Sequence, residues 1–215
     1  MEPQPPAGSS VWQGHNPGDG AIYTRICPLA IAGASTTGGL MGPPETFWSD
    51  AQPIAAIDPA QLAQQALDKM TLLGPDIASP TPAGKYIVGM PTWMWVSKDE
   101  TTYGPNSASA TAGGITVTAT ATVSKIVWKM GDGSAVTCSG PGTRYRASYG
   151  RQQSPTCGHT YSRTSAAQAD GKYTVTATST WSVEWQVAGD GETGELTAIR
   201  QSQEQVAIGE LQVVG

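Results

Sequence analysis

The sequence predicts a mainly β protein, a two-faced β-sandwich preceded by a small N-terminal α+β segment with one short helix. Three observations lead there. Residues 173–187 alternate without a break, with Tyr173, Val175, Ala177, Ser179, Trp181, Val183, Trp185 and Val187 on one side and Thr174, Thr176, Thr178, Thr180, Ser182, Glu184 and Gln186 on the other. Successive side chains of a strand face opposite sides, so this run describes one apolar and one polar face. Ile115, Val117, Ala119, Ala121 and Val123 repeat the pattern with four threonines between them. Finally, 26 Gly and 16 Pro punctuate a chain with only 13% charged residues, well below the usual quarter.

Taken in order, residues 1–20 are rich in Pro and Gly, hold only Val11 and Trp12 as large apolar side chains, and read as a linker or loosely tethered arm. A strand-like stretch at 21–31 and a loop at 32–46 follow. Asp58 can cap a helix that opens on Pro59 and runs to about residue 71, with Leu62, Ala66, Leu67 and Met70 on one face and Gly74-Pro75 as its stop. Residues 85–97 are apolar and aromatic but interrupted by Pro91, which predicts an edge or broken strand carrying Trp93 and Trp95 on one face. The polar, turn-rich stretch 98–114 is the expected boundary between a small segment (21–98) and the sandwich (110–215). A second strand at 126–130 ends in the Gly131-Asp132-Gly133 turn. The last strands fall within 195–214, where parity changes between Val206/Ile208 and Leu211/Val213 and Gly209 marks a bulge or bend.

Cys138 and Cys157 flank a Gly/Ser/Pro-rich loop without periodicity. Closing it with a disulfide would remove roughly 3 kcal/mol of unfolded-state entropy on the loop-entropy model. This pairing is expected, and it leaves Cys27 as a buried free thiol or as a bond to a partner chain. No run of 18 apolar residues is present to span a membrane. Residues 26–35 are too short and too far from a basic leader to be a signal core, so a signal sequence is expected to be missing from this chain.

Trp128, Gly131-Asp132-Gly133, His159-Thr160-Tyr161 and Gly171-Lys172-Tyr173-Thr174-Val175, in that order, resemble the polycystic-kidney-disease (PKD) repeat, a small immunoglobulin-like sandwich of extracellular proteins. Lys129-Met130 stands where Asp-Phe is usual, and the cysteine-closed insert is additional. The resemblance covers half the chain. It implies that His159 is structural, bonding to nearby backbone at the start of a strand. Across the PAQLAQQALDKM helix, PTWMWV, GDG, GPGTRY, CGHTY and IGELQVV, the chain is also similar to a family of exported actinobacterial proteins with one PKD-like domain behind a small α+β segment. That similarity implies a secreted or surface location.

Catalytic signatures fare poorly. His15 and His159 are the only histidines, and His15 lies in the arm, so a histidine-dependent triad is not expected. Residues 166–173 have P-loop spacing, but Tyr173 replaces the magnesium-binding Ser/Thr and Lys172 opens a strand instead of a helix; Gly84-Lys85 fails likewise. No cofactor and no nucleotide are expected. Asp132, alone or with Asp170 or Asp190, could bind calcium, but no close run of carboxylates supports it and a bond to turn amides is expected instead. Nothing places Glu45/Asp50 or Asp99/Glu100 across a cleft as a glycosidase needs.

A net charge of −5 argues against nucleic acid, and Arg144, Arg146 and Arg151 read as a solvated loop. With one Phe in the chain, most tryptophans are expected in the core, whereas Trp12 and Trp48 suit surface contacts. The expected function is non-catalytic: a secreted or cell-surface interaction or spacer module that binds another envelope protein or cell-wall glycan. Its surface is expected at Trp48, Arg144, Tyr145, Arg146, Tyr149 and Arg151. The alternatives are an accessory subunit of an envelope secretion or conjugation assembly and an accessory domain of a carbohydrate-active enzyme.

Overall fold

The computed structural model describes residues 3–26, 42–50, 57–189 and 191–211. Cys27, Asp190 and Val213 lie outside them. The chain forms two compact units, Met1–Ala56 and Ile57–Gly215.

In the first unit, strands β1 (Ala21–Arg25) and β2 (Glu45–Ser49) pair antiparallel. Arg25 and Glu45 face each other at one end with a 2.9 Å ion pair, so this carboxylate is occupied by a cation. Residues 3–20 are more firmly held than an arm. Trp12, in a short 3-10 turn, is only 2% exposed, and its indole N–H donates to the carbonyls of Pro5 and Pro6. The Gln4 side chain accepts from the Ile22 N–H at 2.8 Å and donates to the Ile22 carbonyl at 3.2 Å, copying the exchange of a strand neighbour. One indole can bury enough area to anchor a segment otherwise poor in apolar residues. Trp12 is therefore no surface contact.

The second unit contains helix α1 (Pro59–Asp68) and strands β3 (Asp76–Ser79), β4 (Tyr86–Ile87), β5 (Pro91–Trp93), β6 (Trp95–Ser97), β7 (Asn106–Ala112), β8 (Ile115–Lys129), β9 (Ala135–Cys138), β10 (Gly158–Thr160), β11 (Tyr173–Val187), β12 (Thr193–Val206) and β13 (Ile208–Gly209). The fold is mainly β. A five-stranded antiparallel sheet runs β12-β11-β8-β7, with β9 also paired to β8; β3–β6, β5–β10 and the parallel β4–β13 are separate pairs.

Alternation decides the sheet's two faces. Every odd residue of β11 from Tyr173 to Val187 is buried. On the other face, Ser107, Ser109 and Thr111 of β7 hydrogen-bond Thr120, Thr118 and Thr116 of β8 at 2.8–2.9 Å. The two strands expected at 115–123 and 126–130 are one strand. Val123 pairs with Trp181 and Lys125 with Thr180, so Ser124 is an extra residue with no partner in the ladder. Such a bulge flips the side-chain parity. Burial passes from Val117, Ala119, Ala121 and Val123 to Ile126, Trp128 and Met130.

Asp58 caps α1 as expected, accepting from the Ala60 N–H at 2.9 Å. The helix ends at Asp68, short of residue 71, because Lys69 and Met70 bond three residues back to Ala66 and Leu67 in a tightened last turn. Leu62, Ala63, Ala66 and Leu67 are buried in one core with Ala110, Val117, Ala119, Trp181 and Val183, α1 packing on β7 and β8. The segment after the helix then runs along β12, where the Arg200 guanidinium donates to the Leu72 carbonyl at 2.8 Å. Gly74 lies so close to the Gln201 carbonyl there that a β-carbon would clash. The two units divide at 56/57, and α1 shares its core with the long strands.

Candidate functional site

The apolar run 85–97 breaks at Met94, which is fully buried. Trp93 pairs with Gly158 on β10 and Trp95 with Ser79 on β3, so the two indoles belong to different strand pairs and do not share a strand face. Pro91, unable to donate to a ladder, sits at the start of β5. Trp93 is 5% exposed, whereas Trp95 is half-buried.

Cys138 at the end of β9 and Cys157 just before β10 form the expected disulfide, with Cα atoms 5.7 Å apart. Most of the loop it closes is exposed, Arg144, Arg146 and Arg151 included, while its two tyrosines fold onto Trp93. Tyr149 stacks on that indole at 4.8 Å and 17°, and Tyr145 meets it edge-on at 5.5 Å. The Trp93 N–H donates to the Gln152 carbonyl at 2.8 Å, and the Tyr145 hydroxyl closes the turn on the Gly150 carbonyl at 3.0 Å.

This docking leaves an open groove of about 290 Å³ walled by Tyr86, Met90, Pro91, Trp95 and Tyr145, with Lys85 exposed at its side. A second concavity of about 480 Å³ is lined by Trp95, Lys98, Pro141 and Arg144. Trp95 is common to both. Of the residues singled out in the sequence, Tyr145 and Arg144 line these grooves, and Tyr149 backs Trp93. Arg146 and Arg151 are exposed on the same loop. Trp48 belongs to the first unit, where it stacks on His15 with ring centroids 3.6 Å apart. Sequence reasoning missed Lys85 and Tyr86, and it counted Trp95 among the tryptophans expected in the core. In the sequence Gly84-Lys85 reads as a failed phosphate loop, and the signal for a site is the place of Lys85 at the head of an aromatic run.

The Gly131-Asp132-Gly133 turn holds the other notable cluster. One oxygen of Asp132 accepts from the Ser134 N–H at 2.9 Å and from the Ser134 hydroxyl at 2.5 Å, the turn bond expected of this residue. The other lies 2.8 Å from His159 Nε2. His159 is therefore tied to a side-chain carboxylate instead of to backbone, a correction to its expected role. Partial burial pushes the Asp132 carboxyl up, but the two Ser134 bonds and the adjacent His159 outweigh it and hold the carboxyl below its usual range. Burial, followed by the charge of Asp132, pushes the Tyr161 phenol well above its usual range. Ser134 Oγ, 3.4 Å away, approaches the same His159 nitrogen as the carboxylate. A proton relay needs the carboxylate on one ring nitrogen and the hydroxyl on the other.

Among the described residues no group of three or more His, Cys, Asp or Glu could hold a metal ion, and no helix is long and apolar enough to cross a membrane. Asp99 accepts from the Thr101 amide and hydroxyl in an exposed turn. Strand β11 begins directly after Lys172. No family model, curated protein or solved structure matches the chain.

Proposed function

We propose that the chain is a non-catalytic, secreted or cell-surface module that binds a cell-wall glycan through the groove of Tyr86, Trp95 and Tyr145, on an immunoglobulin-like sandwich of the PKD kind. The observation that carries the binding reading is the docking of the disulfide loop on Trp93. It holds Tyr145 at a groove where Tyr86 and a half-buried Trp95 also line the wall. Aromatic rings presented in an open concavity suit the apolar faces of sugar rings, and residues locked from behind need little ordering on binding.

The sandwich reading is supported by the meeting of the motif residues. Asp132 bonds His159, Tyr161 stacks on Tyr173 at 5.3 Å, and the Tyr161 hydroxyl donates to the Met130 carbonyl at 3.1 Å. The disulfide fits an oxidising location outside the cytosol.

Tryptophan fluorescence against a panel of solubilised cell-wall polysaccharides tests the binding reading. Saturable quenching is expected, weakened about tenfold or more in Trp95→Ala, an amount equivalent to about 1.4 kcal/mol. Quenching that is absent across the panel, or unaffected in a folded Trp95→Ala variant, sinks it.

A further inference from the structure

We infer that the ligand of this groove is an anionic polysaccharide, a chain of sugar rings bearing carboxylate or phosphate groups. This rests on the reading that the groove is the binding site. The observation behind it is charge segregation. The chain has 12 Lys and Arg against 17 Asp and Glu. Yet residues 78–98 and 140–160, which line both grooves and form the loop beside them, hold Lys85, Lys98, Arg144, Arg146 and Arg151 and not one Asp or Glu. Neither groove has an Asp or Glu in its lining; the carboxylates flanking them are Asp76, across β3 from Ser97, and the Asp99-Glu100 pair that follows Lys98.

The cations are also uncommitted. The described ion pairs are Arg25–Glu45 and His159–Asp132, neither of which involves them. Lys98 alone has a weak neighbour, the Tyr103 ring at 5.9 Å. Their arrangement follows Trp95: Lys85 lines the groove that Trp95 shares with Tyr86 and Tyr145, and Lys98 and Arg144 line the one it shares with Pro141. A chain crossing the Trp95 indole would place a ring face on it and meet a cation in each groove. Guanidinium and ammonium groups bind carboxylate and phosphate oxygens.

Backbone accounting disfavours a peptide added as a strand. The N–H groups of Val88, Gly89, Met90, Met94 and Val96 donate to Gly209, Tyr161, Ile87, Cys157 and Pro141 at 2.8–3.1 Å, and Pro91 has none. Strand addition relies on such groups being free. Ring stacking and charge are what this surface offers.

The test is calorimetry and fluorescence on the full chain with its disulfide intact. Its probes are polygalacturonate, a sugar-phosphate polymer, dextran, polyglutamate and a single-stranded oligothymidylate. The two acidic polysaccharide arms separate carboxylate from phosphate recognition, and binding of either meets the expectation. Affinity is expected to fall at least about tenfold between low and moderate salt, since phosphate and carboxylate pairing is screened. It is expected to fall about tenfold again in K98Q/R144Q, whose exposed positions leave the fold intact, and to be unchanged in K125Q/K129Q, an equal charge change on β8. Dextran binding equal to that of polygalacturonate and independent of salt would leave the glycan reading standing and overturn this inference. Polyglutamate or oligothymidylate binding as tight as that of the acidic polysaccharides, with Trp95→Ala without effect, overturns it as charge attraction alone. No binding by any probe overturns both readings together.

Discussion

The five-stranded sheet and the groove end of the same unit keep their shapes by different means. Strand β11 is paired along its length, with β12 on one side and β8 on the other, and its inward residues are closed off from solvent. At the groove end, β3, β4, β5, β6, β10 and β13 run only two to four residues, and β5 and β6 are separated by the single residue Met94. Regular ladders are replaced there by a disulfide, a tyrosine–tryptophan stack and isolated backbone bonds. The lesson concerns where a ligand can be met. A sheet that buries its apolar face in alternation has committed its large side chains to the core, whereas a patchwork of short strands can leave an indole such as Trp95 half out of it.

The largest effect expected is therefore in the sheet. Trp181→Ala removes a fully buried indole from the centre of β11. Cavity formation should cost about 3–5 kcal/mol in urea-induced unfolding. A loss under about 1 kcal/mol would mean that the sheet tolerates vacancies as loosely as the groove end. Trp181→Phe should cost distinctly less than a typical loss of this size, because the indole N–H is buried without a hydrogen-bond partner.

Next comes the disulfide. The double replacement C138A/C157A frees a loop whose ends are 19 residues apart, at an expected cost of about 2–4 kcal/mol. The comparison predicts a selective outcome. Near-ultraviolet circular dichroism should change as Tyr145 and Tyr149 lose their places on Trp93, while the far-ultraviolet β signal stays. Equal loss of both signals would show that the two ends are one cooperative structure.

How far each end was legible in the sequence follows the same division. The faces of β11 could be read residue by residue, because alternation is local and burial obeyed it from Tyr173 to Val187. The Asp58-Pro59 helix start was legible for the same reason. The bulge at Ser124 was not, since one inserted residue shifts parity without a distinctive side chain to announce it. At the groove end, the loop's aromatic and cationic residues could be picked out, but their destination could not. Trp93 and Gln152 are 59 residues apart in sequence, and no local pattern encodes that meeting. For Trp12 a poor composition implies a loose arm, while its indole is buried and the Gln4 amide bonds Ile22, contacts that composition does not encode.

The Asp132–His159 contact ties the β8–β9 turn to β10 and so couples the two ends. Asp132→Asn removes a charged acceptor of three hydrogen bonds, at roughly 1–2 kcal/mol after allowance for partial exposure. The pH dependence has a definite sign. The folded carboxyl titrates below its ordinary 3.8, so its contribution is full above that value and is lost as pH falls through the folded one. Tyr161 behaves oppositely. Its phenol is raised from 10.0, so its contribution is full below pH 10 and is lost as the solution becomes more alkaline. Unfolding midpoints followed across pH should decline at both extremes, with a shallower acid limb in Asp132→Asn and a shallower alkaline limb in Tyr161→Phe. Limbs unchanged by these substitutions would assign the declines to other groups.

The smallest effect expected is that of Tyr149→Leu. The ring contributes a stack on Trp93 at 4.8 Å, whereas the hydrogen bonds that close the loop turn come from Tyr145 on Gly150 and Trp93 on Gln152. An aromatic pair is worth about 0.5–1.5 kcal/mol beyond its buried area, and leucine keeps part of that area. Global stability should thus fall by about 1 kcal/mol or less. Local order should fall more, because the disulfide fixes only the two ends of the loop and Tyr149 lies near its middle. Amide hydrogen exchange over residues 141–156 is expected to quicken in Tyr149→Leu while that of β11 stays at its original rate. Equal acceleration in both would show that the stack supports the whole unit, and the distinction between a sheet held by its ladder and a groove held by its rings would fail.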